Sequence, residues 1–259
     1  MTATRRTPLL PGAEPFFSSG GPVGVLLCHG FTGSPQPLRP WAQRLAAEGL
    51  TVALPRLPGH GTTEQEARLT RWPDWYAVLE RALADLHTRC PVVFVLGLSM
   101  GGTLALRLAE EHPDRVAGLV LVNPSLLSTR RVLRLLPLLR HLVPTVAGVA
   151  GDIRKPGVRE VAYDRTPLAP LHSLTELWAL TRRDLPKVTC PVLLFRSPED
   201  HVVEPASARQ LLEQVSSNDV EERLCPDSYH VATLDYDAEA IIAGSLAFVR
   251  RLAPVRAPA

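Results

Sequence analysis

The sequence has few cysteines, few lysines and no long apolar run, and each shortage excludes a class of protein. None of the four cysteines forms a C-x-x-C pair, so we expect no zinc site. Scattered free thiols are typical of a reducing compartment, and we expect a cytoplasmic protein. No run reaches the roughly 18 apolar residues of a membrane span. The apolar stretch after Arg5 and Arg6 is too short for the core of a signal peptide.

Lysine occurs only at positions 155 and 187, yet arginine keeps the charge nearly balanced. The 28 basic and 26 acidic residues give a formal net charge of +2, which offers no reason to expect a nucleic acid partner. An apolar fraction of 46% and a charged fraction of 21% are ordinary for a soluble globular protein. The composition does not indicate an oligomeric state.

Short apolar runs that predict buried strands alternate with helical patterns along most of the chain. We predict strands at residues 23–28, 51–54, 92–96, 116–122, 192–195 and 220–224. Helical spacing falls between them, at about residues 37–49, 70–87, 103–112, 205–215 and 238–252. This alternation favours an α/β fold with a mostly parallel central sheet and helices on both faces.

The alternation fails in one stretch, at about residues 124–185. It contains leucine-rich pieces, several prolines and no convincing strand. Because it is too long for a plain connection, we predict that it forms an inserted helical cap. The chain is then a single domain over residues 1–259 that carries one insertion.

A candidate nucleophile lies directly after the third predicted strand. Gly97-Leu98-Ser99-Met100-Gly101 fits the pattern G-x-S-x-G. In so tight a strand-to-helix turn the serine backbone is strained, its hydroxyl is exposed, and glycines let the helix pass close to the strand. The pentapeptide alone is a weak signal, and a glycine-rich structural turn is the alternative. The strand–turn–helix context favours a nucleophile elbow.

A serine hydroxyl needs a base to take its proton and an acid to orient that base. In this architecture each partner follows a later strand, the acid first and the histidine second. Asp200 and its neighbour Glu199 follow the fifth predicted strand, and an S-x-x-D-x-x-V pattern favours Asp200. His230 follows the last strand, where the base belongs. His201 is its strongest rival, although it adjoins the acid.

The negative oxygen of a tetrahedral intermediate needs hydrogen-bond donors. Backbone N–H groups of the residue after the nucleophile and of the first strand's loop supply them in this architecture. Those residues are Met100 and Phe31. We expect the ring of Phe31 to line the site that holds the acyl group. No metal or organic cofactor is needed for such chemistry.

The motifs together carry a family resemblance over nearly the whole chain, weakest at residues 126–150 and at both ends. The chain resembles the bacterial monoacylglycerol lipases and related thermostable carboxylesterases of the α/β-hydrolase superfamily. The resemblance rests on five segments in order: His29-Gly30-Phe31-Thr32-Gly33, Leu57-Pro58-Gly59-His60-Gly61, residues 97–103, residues 199–203 and residues 228–237.

This resemblance implies an α/β-hydrolase fold and hydrolysis of a medium- or long-chain monoester of glycerol. It places Ser99, Asp200 and His230 on the family's triad, and the Phe31 and Met100 amides on its oxyanion hole. Two further residues are implied by the resemblance alone. Glu160 falls where the family binds the glycerol head group, whereas its local pattern reads as a solvated helix charge. Asn123 is expected to line the polar end of the site.

The cap leucines allow two interpretations. Leucines at 126, 127, 133, 136 and 139 alternate with arginines at 130, 131, 134 and 140. Such a segment can be a helix packed on the core with a solvated outer face. It can also form a basic, apolar rim that touches a lipid surface transiently and admits an acyl chain.

Three functions are compatible with these residues. The first is a serine esterase that acts on monoacylglycerols through an acyl-enzyme on Ser99. The second is a broad-specificity carboxylesterase or lysophospholipase. The third is a non-catalytic small-molecule-binding protein of the same fold, against which an intact serine–aspartate–histidine set argues.

Overall fold

The computed structural model describes residues 7–253, and within that range the chain forms nine strands and eight α-helices. The stretch with Arg5 and Arg6 and the last six residues lie outside it. The strands are β1 (Phe16–Ser18), β2 (Val23–Cys28), β3 (Thr51–Leu54), β4 (Val92–Leu98), β5 (Gly118–Val122), β6 (Thr145–Ala147), β7 (Arg165–Pro167), β8 (Val192–Arg196) and β9 (Val220–Leu224). The helices are α1 (Arg39–Ala47), α2 (Glu64–Ala67), α3 (Trp72–His87), α4 (Met100–Glu111), α5 (Leu136–Leu142), α6 (Leu168–Asp184), α7 (Pro205–Gln214) and α8 (Ala238–Leu252).

Seven of these strands form one sheet in the order β1-β3-β2-β4-β5-β8-β9. Every neighbouring pair is parallel except β1 and β3, which run antiparallel. The predicted α/β-hydrolase fold, with a mostly parallel sheet between helices, is confirmed. The carboxyl ends of β4, β8 and β9 therefore lie at one edge of the sheet, where ligand sites of open α/β sheets are found.

The central strand β4 shows why the sheet is buried on both faces. Its side chains alternate between two apolar clusters: Val93 and Val95 pack with α3, α4 and α6, whereas Phe94 and Leu96 pack with α1 and α8. Alternation follows from the two-residue period of a strand. Since both faces are covered by helices, the strand reads as a continuous apolar run.

The structure contains two short strand pairings that the sequence pattern does not predict. The edge strand β1 was not predicted, because three residues at the start of the chain carry too short a pattern. The stretch predicted to lack strands contains β6 and β7, which pair antiparallel with Val146 opposite Thr166. A three-residue pair is stabilised by its neighbours rather than by its own apolar pattern.

The segment at 124–185 is only partly separate from the core. Its helix α6 places Leu174, Leu177 and Trp178 in the same apolar cluster as α4. The preceding part, from the 3-10 helix Arg131–Leu135 to β7, lies over the edge of the sheet where β4 ends and contributes part of the cavity wall described below.

Candidate active site

Ser99 occupies the sharp turn between β4 and α4. Its backbone has φ 56° and ψ −120°, a conformation that L residues rarely adopt. The flanking glycines explain why the turn is possible. A Cβ on Gly97 would collide with the backbone of Gly101, and one on Gly101 with the backbone of Cys28. Backbone strain and close helix–strand approach are the geometry that the G-x-S-x-G pattern predicts.

The histidine and the acid predicted from the sequence lie together. His230 Nδ1 is 2.8 Å from Asp200 Oδ2, and both side chains are almost completely buried. The other oxygen, Asp200 Oδ1, accepts hydrogen bonds from the N–H groups of Val202 and Val203, each at 2.8 Å. A carboxylate held by three donors has a fixed orientation, so the imidazole presents Nε2 to the cavity.

Burial and charge act in opposite directions on His230. Burial disfavours the imidazolium, but Asp200, followed by Glu160 and Asp152, outweighs it and raises the pKa of His230 above its ordinary value. The site therefore favours a positively charged histidine once it has accepted a proton. Ser99 lines the same cavity as His230, and within residues 7–253 its hydroxyl makes no hydrogen bond.

The two predicted oxyanion-hole residues flank the serine. Met100 is the first residue of α4, so its N–H has no partner in the preceding turn of helix. Phe31 follows Gly30, whose Cα lies against Ser99: a Cβ there would be 3.6 Å from Ser99 Cβ. The Phe31 ring lines the cavity and packs against Trp75 with ring centroids 5.7 Å apart.

A cavity of about 280 Å³ opens beside Ser99. Most of its wall is aliphatic and comes from the cap, including Leu133, Leu136, Leu139, Leu171 and Leu174. Near the serine the wall turns polar, with Thr32, Glu160 and His230. The cavity is thus mostly apolar, with a polar region around Ser99.

Glu160 does not lie on a helix, contrary to its local sequence pattern. It belongs to an irregular segment between β6 and β7 and faces the cavity. Its Oε2 accepts a hydrogen bond from the N–H of Gly151 at 3.0 Å. Burial raises the pKa of Glu160, against the smaller opposing effects of that hydrogen bond and of His230.

Asn123 does not line the cavity, and the expectation that it does is wrong. Its side chain is buried behind the histidine loop, where Nδ2 donates to Ser197 Oγ at 3.0 Å and to the carbonyl of His230 at 2.8 Å. Its Oδ1 accepts from the Ser197 N–H at 2.8 Å. Because every polar atom of the amide is used within the fold, Asn123 supports the loop and has no atom left for a ligand.

The two rivals of the predicted acid and base are directed elsewhere. Glu199 is exposed and lies 3.8 Å from Arg154. His201 is also exposed, and its Nδ1 contacts Asp152 at 2.8 Å. The Asp152 contact raises the pKa of His201. Neither side chain lines the cavity, so the geometry favours Asp200 and His230.

Sequence reasoning missed the buried groups that hold the loops around the site. Asp235 accepts hydrogen bonds from the N–H groups of Tyr229, Arg154 and Lys155 at 3.0, 2.6 and 2.9 Å. Tyr163 donates from its hydroxyl to the carbonyl of Gly59 at 2.8 Å. No local pattern marks such residues, since their partners are far away along the chain.

Residues 7–253 contain neither a membrane-spanning helix nor a cluster of metal ligands. No helix in that range has the length and apolarity needed to cross a membrane. The same residues hold no group of three or more histidine, cysteine, aspartate or glutamate side chains placed to bind a metal ion.

A mostly parallel sheet, a serine in a strained turn at the end of β4, and a histidine–aspartate pair on the loops after β8 and β9 define a serine hydrolase of the α/β-hydrolase fold. The chain belongs to the family described as serine aminopeptidase, S33 (Hydrolase_4), whose model matches residues 23–237.

Individual relatives extend over nearly the whole chain. The thermostable monoacylglycerol lipase of Bacillus sp. (strain H-257) is 46% identical over 93% of this chain and 96% of its own length. The carboxylesterase of Bacillus subtilis (strain 168) is 26% identical over 92% and 97%. A solved structure reported for the metagenome-derived lipolytic enzymes LipS and LipT superposes with a TM-score of 0.92 at 42% identity, covering 94% of this chain and 100% of that one.

Proposed function

We propose that the protein hydrolyses monoacylglycerols to a free fatty acid and glycerol, through an acyl-enzyme on Ser99. It is a carboxylic ester hydrolase, and its similarity to a monoacylglycerol lipase over 93% of the chain supports the narrower substrate class. The observation that carries the proposal is the carboxylate of Glu160 in the polar part of a mostly apolar cavity. That pairing suits a substrate with one long acyl chain and a head group rich in hydroxyls.

The proposed reaction uses the histidine twice. His230 Nε2 takes the proton of Ser99 as its Oγ bonds to the ester carbonyl carbon, and then gives that proton to the leaving glycerol oxygen as the ester bond breaks. A water molecule, deprotonated by the same nitrogen, then attacks the acyl carbon. As the bond from that carbon to Ser99 Oγ breaks, Nε2 returns the proton to Oγ, and the fatty acid is released. Asp200 holds Nδ1–H throughout, since its Oδ2 is only 2.8 Å from Nδ1.

The proposed oxyanion hole consists of the N–H groups of Phe31 and Met100. One donor lies in the loop after β2 and the other at the start of α4. Such preorganised donors need no rearrangement when charge develops on the carbonyl oxygen, and loss of one costs about 3–4 kcal/mol of transition-state stabilisation.

Labelling tests the chemistry. A fluorophosphonate is expected to label wild-type protein covalently, and a Ser99→Ala variant is expected to remain unlabelled. The same variant should lose about 10⁴-fold or more in kcat on any ester, because the remaining groups supply no nucleophile. Absence of labelling in folded wild-type protein would contradict the enzyme and leave the binding-protein alternative.

A second candidate, a broad-specificity carboxylesterase or lysophospholipase, is favoured by the similarity to the Bacillus subtilis carboxylesterase. Glu160 separates the two. A Glu160→Gln variant should lose rate on a monoacylglycerol while keeping its rate on a simple alkyl ester of the same acid, because only the first substrate offers hydroxyls to the carboxylate. An unchanged rate on both esters would favour the second candidate.

We further propose that residues 124–185 act as the cap of a single domain and touch lipid surfaces transiently. The leucines predicted to form the rim mostly face inward: Leu126 lies in the core, and Leu127, Leu133, Leu136 and Leu139 line the cavity. Other apolar side chains face outward, including Val132, Leu135, Leu138 and Leu142, each more than half exposed. Arg130, Arg131 and Arg134 are exposed beside them.

A further inference from the structure

One carboxylate in the cap contacts both loops that carry the candidate acid and base. Asp152 lies on the irregular segment between β6 and β7. Its Oδ2 accepts hydrogen bonds from the N–H groups of His201 and His230, both at 3.1 Å. Its Oδ1 lies 2.8 Å from His201 Nδ1, and its own carbonyl accepts from the N–H of Val231 at 3.1 Å.

These contacts join two loops that are remote in sequence. His201 directly follows Asp200, the acid, and His230 is the base, so a single oxygen atom spans the backbones of both loops. The bond between Asp200 and His230 requires that the loops after β8 and β9 keep a fixed separation. Hydrogen bonds from backbone N–H groups to a carboxylate are charge-assisted and are the stronger kind.

An ordinary surface ion pair does not account for this arrangement. The His201 side chain is 56% exposed, whereas that of Asp152 is only 15% exposed. Water around His201 screens the side-chain pair, which then contributes little. The contact of Oδ2 with the N–H of His230 is partly buried, so the effect of Asp152 on the loop that carries the base does not depend on the exposed ion pair.

The same segment also carries the polar end of the cavity. The N–H of Gly151, next to Asp152, donates to Glu160 Oε2 at 3.0 Å. Arg154 and Lys155 follow Asp152 closely in the sequence, and their N–H groups donate to Asp235. Asp235 also accepts from the N–H of Tyr229, on the loop that holds His230. Residues 151–155 therefore contact both the Glu160 carboxylate, which is proposed to bind the head group, and the loop that carries His230.

We propose that Asp152 is a positioning residue for the reaction: its carboxylate ties the acid loop to the base loop and sets a further negative charge beside His230. The proposal rests on the proposed function, because it assigns a role relative to Asp200 and His230. On this proposal the cap has a second role besides lining the cavity, because one of its residues fixes the position of Asp200 relative to His230.

The charge has a measurable consequence. Asp152 is one of the groups that raise the pKa of His230, after Asp200 and Glu160. The neutral imidazole is the active base, so a raised pKa moves the acidic limb of the rate profile to higher pH. Removing the negative charge of Asp152 should move that limb to lower pH. A residue that only stabilised the fold would leave the limb where it is.

Three variants of the full chain test the proposal, each assayed on a soluble aryl ester and on a monoacylglycerol. Asp152→Ala removes every side-chain acceptor and should lower kcat about 10- to 100-fold on both esters with little change in KM, because small misplacements of reacting groups have effects of this size. Asp152→Asn keeps one acceptor oxygen and should retain kcat within about threefold. Both should show the acid limb at lower pH.

His201→Ala is the matched control, since it removes the exposed ion pair and leaves both backbone donors in place. It should behave like wild type in kcat. Asp152→Ala with unchanged kcat and an unchanged acid limb would overturn the proposal, and so would an equal loss in His201→Ala. If Asp152→Ala does not fold, as judged by its thermal transition, the pH profile of Asp152→Asn decides in the same way. A wild-type protein that resists fluorophosphonate would instead overturn the proposed function.

Discussion

At the scale of single residues, the site depends on groups whose properties are set by burial. His29 and His60 have the same side chain as His230, yet burial without a carboxylate partner lowers their pKa to about 3 and about 4. His230 is equally buried but faces Asp200, which reverses the direction of the shift. The neighbour, rather than the residue type, decides which histidine can act as a base.

A pH profile tests this difference. On a soluble aryl ester, kcat/KM of the wild type should fall towards acid with an apparent pKa above the ~6.5 of an unperturbed histidine. The sign follows from the raised pKa: the imidazole becomes protonated, and so inactive as a base, at a higher pH than usual. An acid limb below that of free imidazole would contradict the assignment of Asp200 as its partner.

Several residues of the candidate site could be predicted from the sequence, and the roles of two others could not. The G-x-S-x-G turn and the order of later strands were enough to predict Ser99, Asp200 and His230, which the structure brings to one edge of the sheet. Asn123 was misassigned, because a strand's last residue can point into the site or behind it. Asp152 carried no signal, since the two histidines that donate to its carboxylate lie 49 and 78 residues further along the chain.

At the scale of elements, the cap is apolar on two faces. Leucine occupies so many positions of the 3-10 helix Arg131–Leu135 and of α5 that one set lines the cavity while another faces outward. Sequence spacing alone did not separate these sets, because a seven-residue helix completes only about two turns. The tertiary structure identifies Leu138 and Leu142, 69% and 78% exposed, as the leading outward pair.

Vesicle co-sedimentation tests the outward face. A Leu138→Asp/Leu142→Asp variant should bind phosphatidylcholine vesicles more weakly than wild type and hydrolyse vesicle-borne monoacylglycerol more slowly, because the loss of apolar contact weakens binding. Its rate on a soluble aryl ester should be unchanged. Leu224→Asp, at a leucine that is 54% exposed on β9 outside the cap, is the matched control. Equal vesicle binding by the wild type, the double variant and the control would contradict the lipid-surface proposal.

At the scale of the whole molecule, a buried cluster of charges joins the core helix α4 to α6. Arg107 donates to Glu110 at 2.9 Å and to Asp184 at 2.7 Å, and it also contacts Glu111. Arg107, Glu110 and Asp184 are almost completely buried. Burial raises the pKa of Glu110 to about 8, against the opposing hydrogen bond from Arg107.

Removing the arginine should destabilise the whole fold. An Arg107→Leu variant removes the buried cation that Glu110 and Asp184 share, and Asp184 keeps only its exposed partners Arg183 and Lys187. The free energy of unfolding should therefore fall by about 3 kcal/mol in a denaturant titration, the lower end of the range for a broken buried pair. Arg44→Leu removes an exposed pair with Glu239, at 3.3 Å, and should cost less than about 1 kcal/mol. Similar losses in the two variants would show that burial of the cluster has no particular effect.

The sequence by itself determined the alternation of strands and helices, the elbow at Ser99 and the order of the acid and the base. These features are local: each depends on a period of two or 3.6 residues, or on glycines beside one turn. Only the tertiary structure decided which face of the cap meets the cavity, where Glu160 and Asn123 point, and that Asp152 spans two loops. Those features depend on contacts between segments far apart in the chain, and no local pattern encodes such contacts.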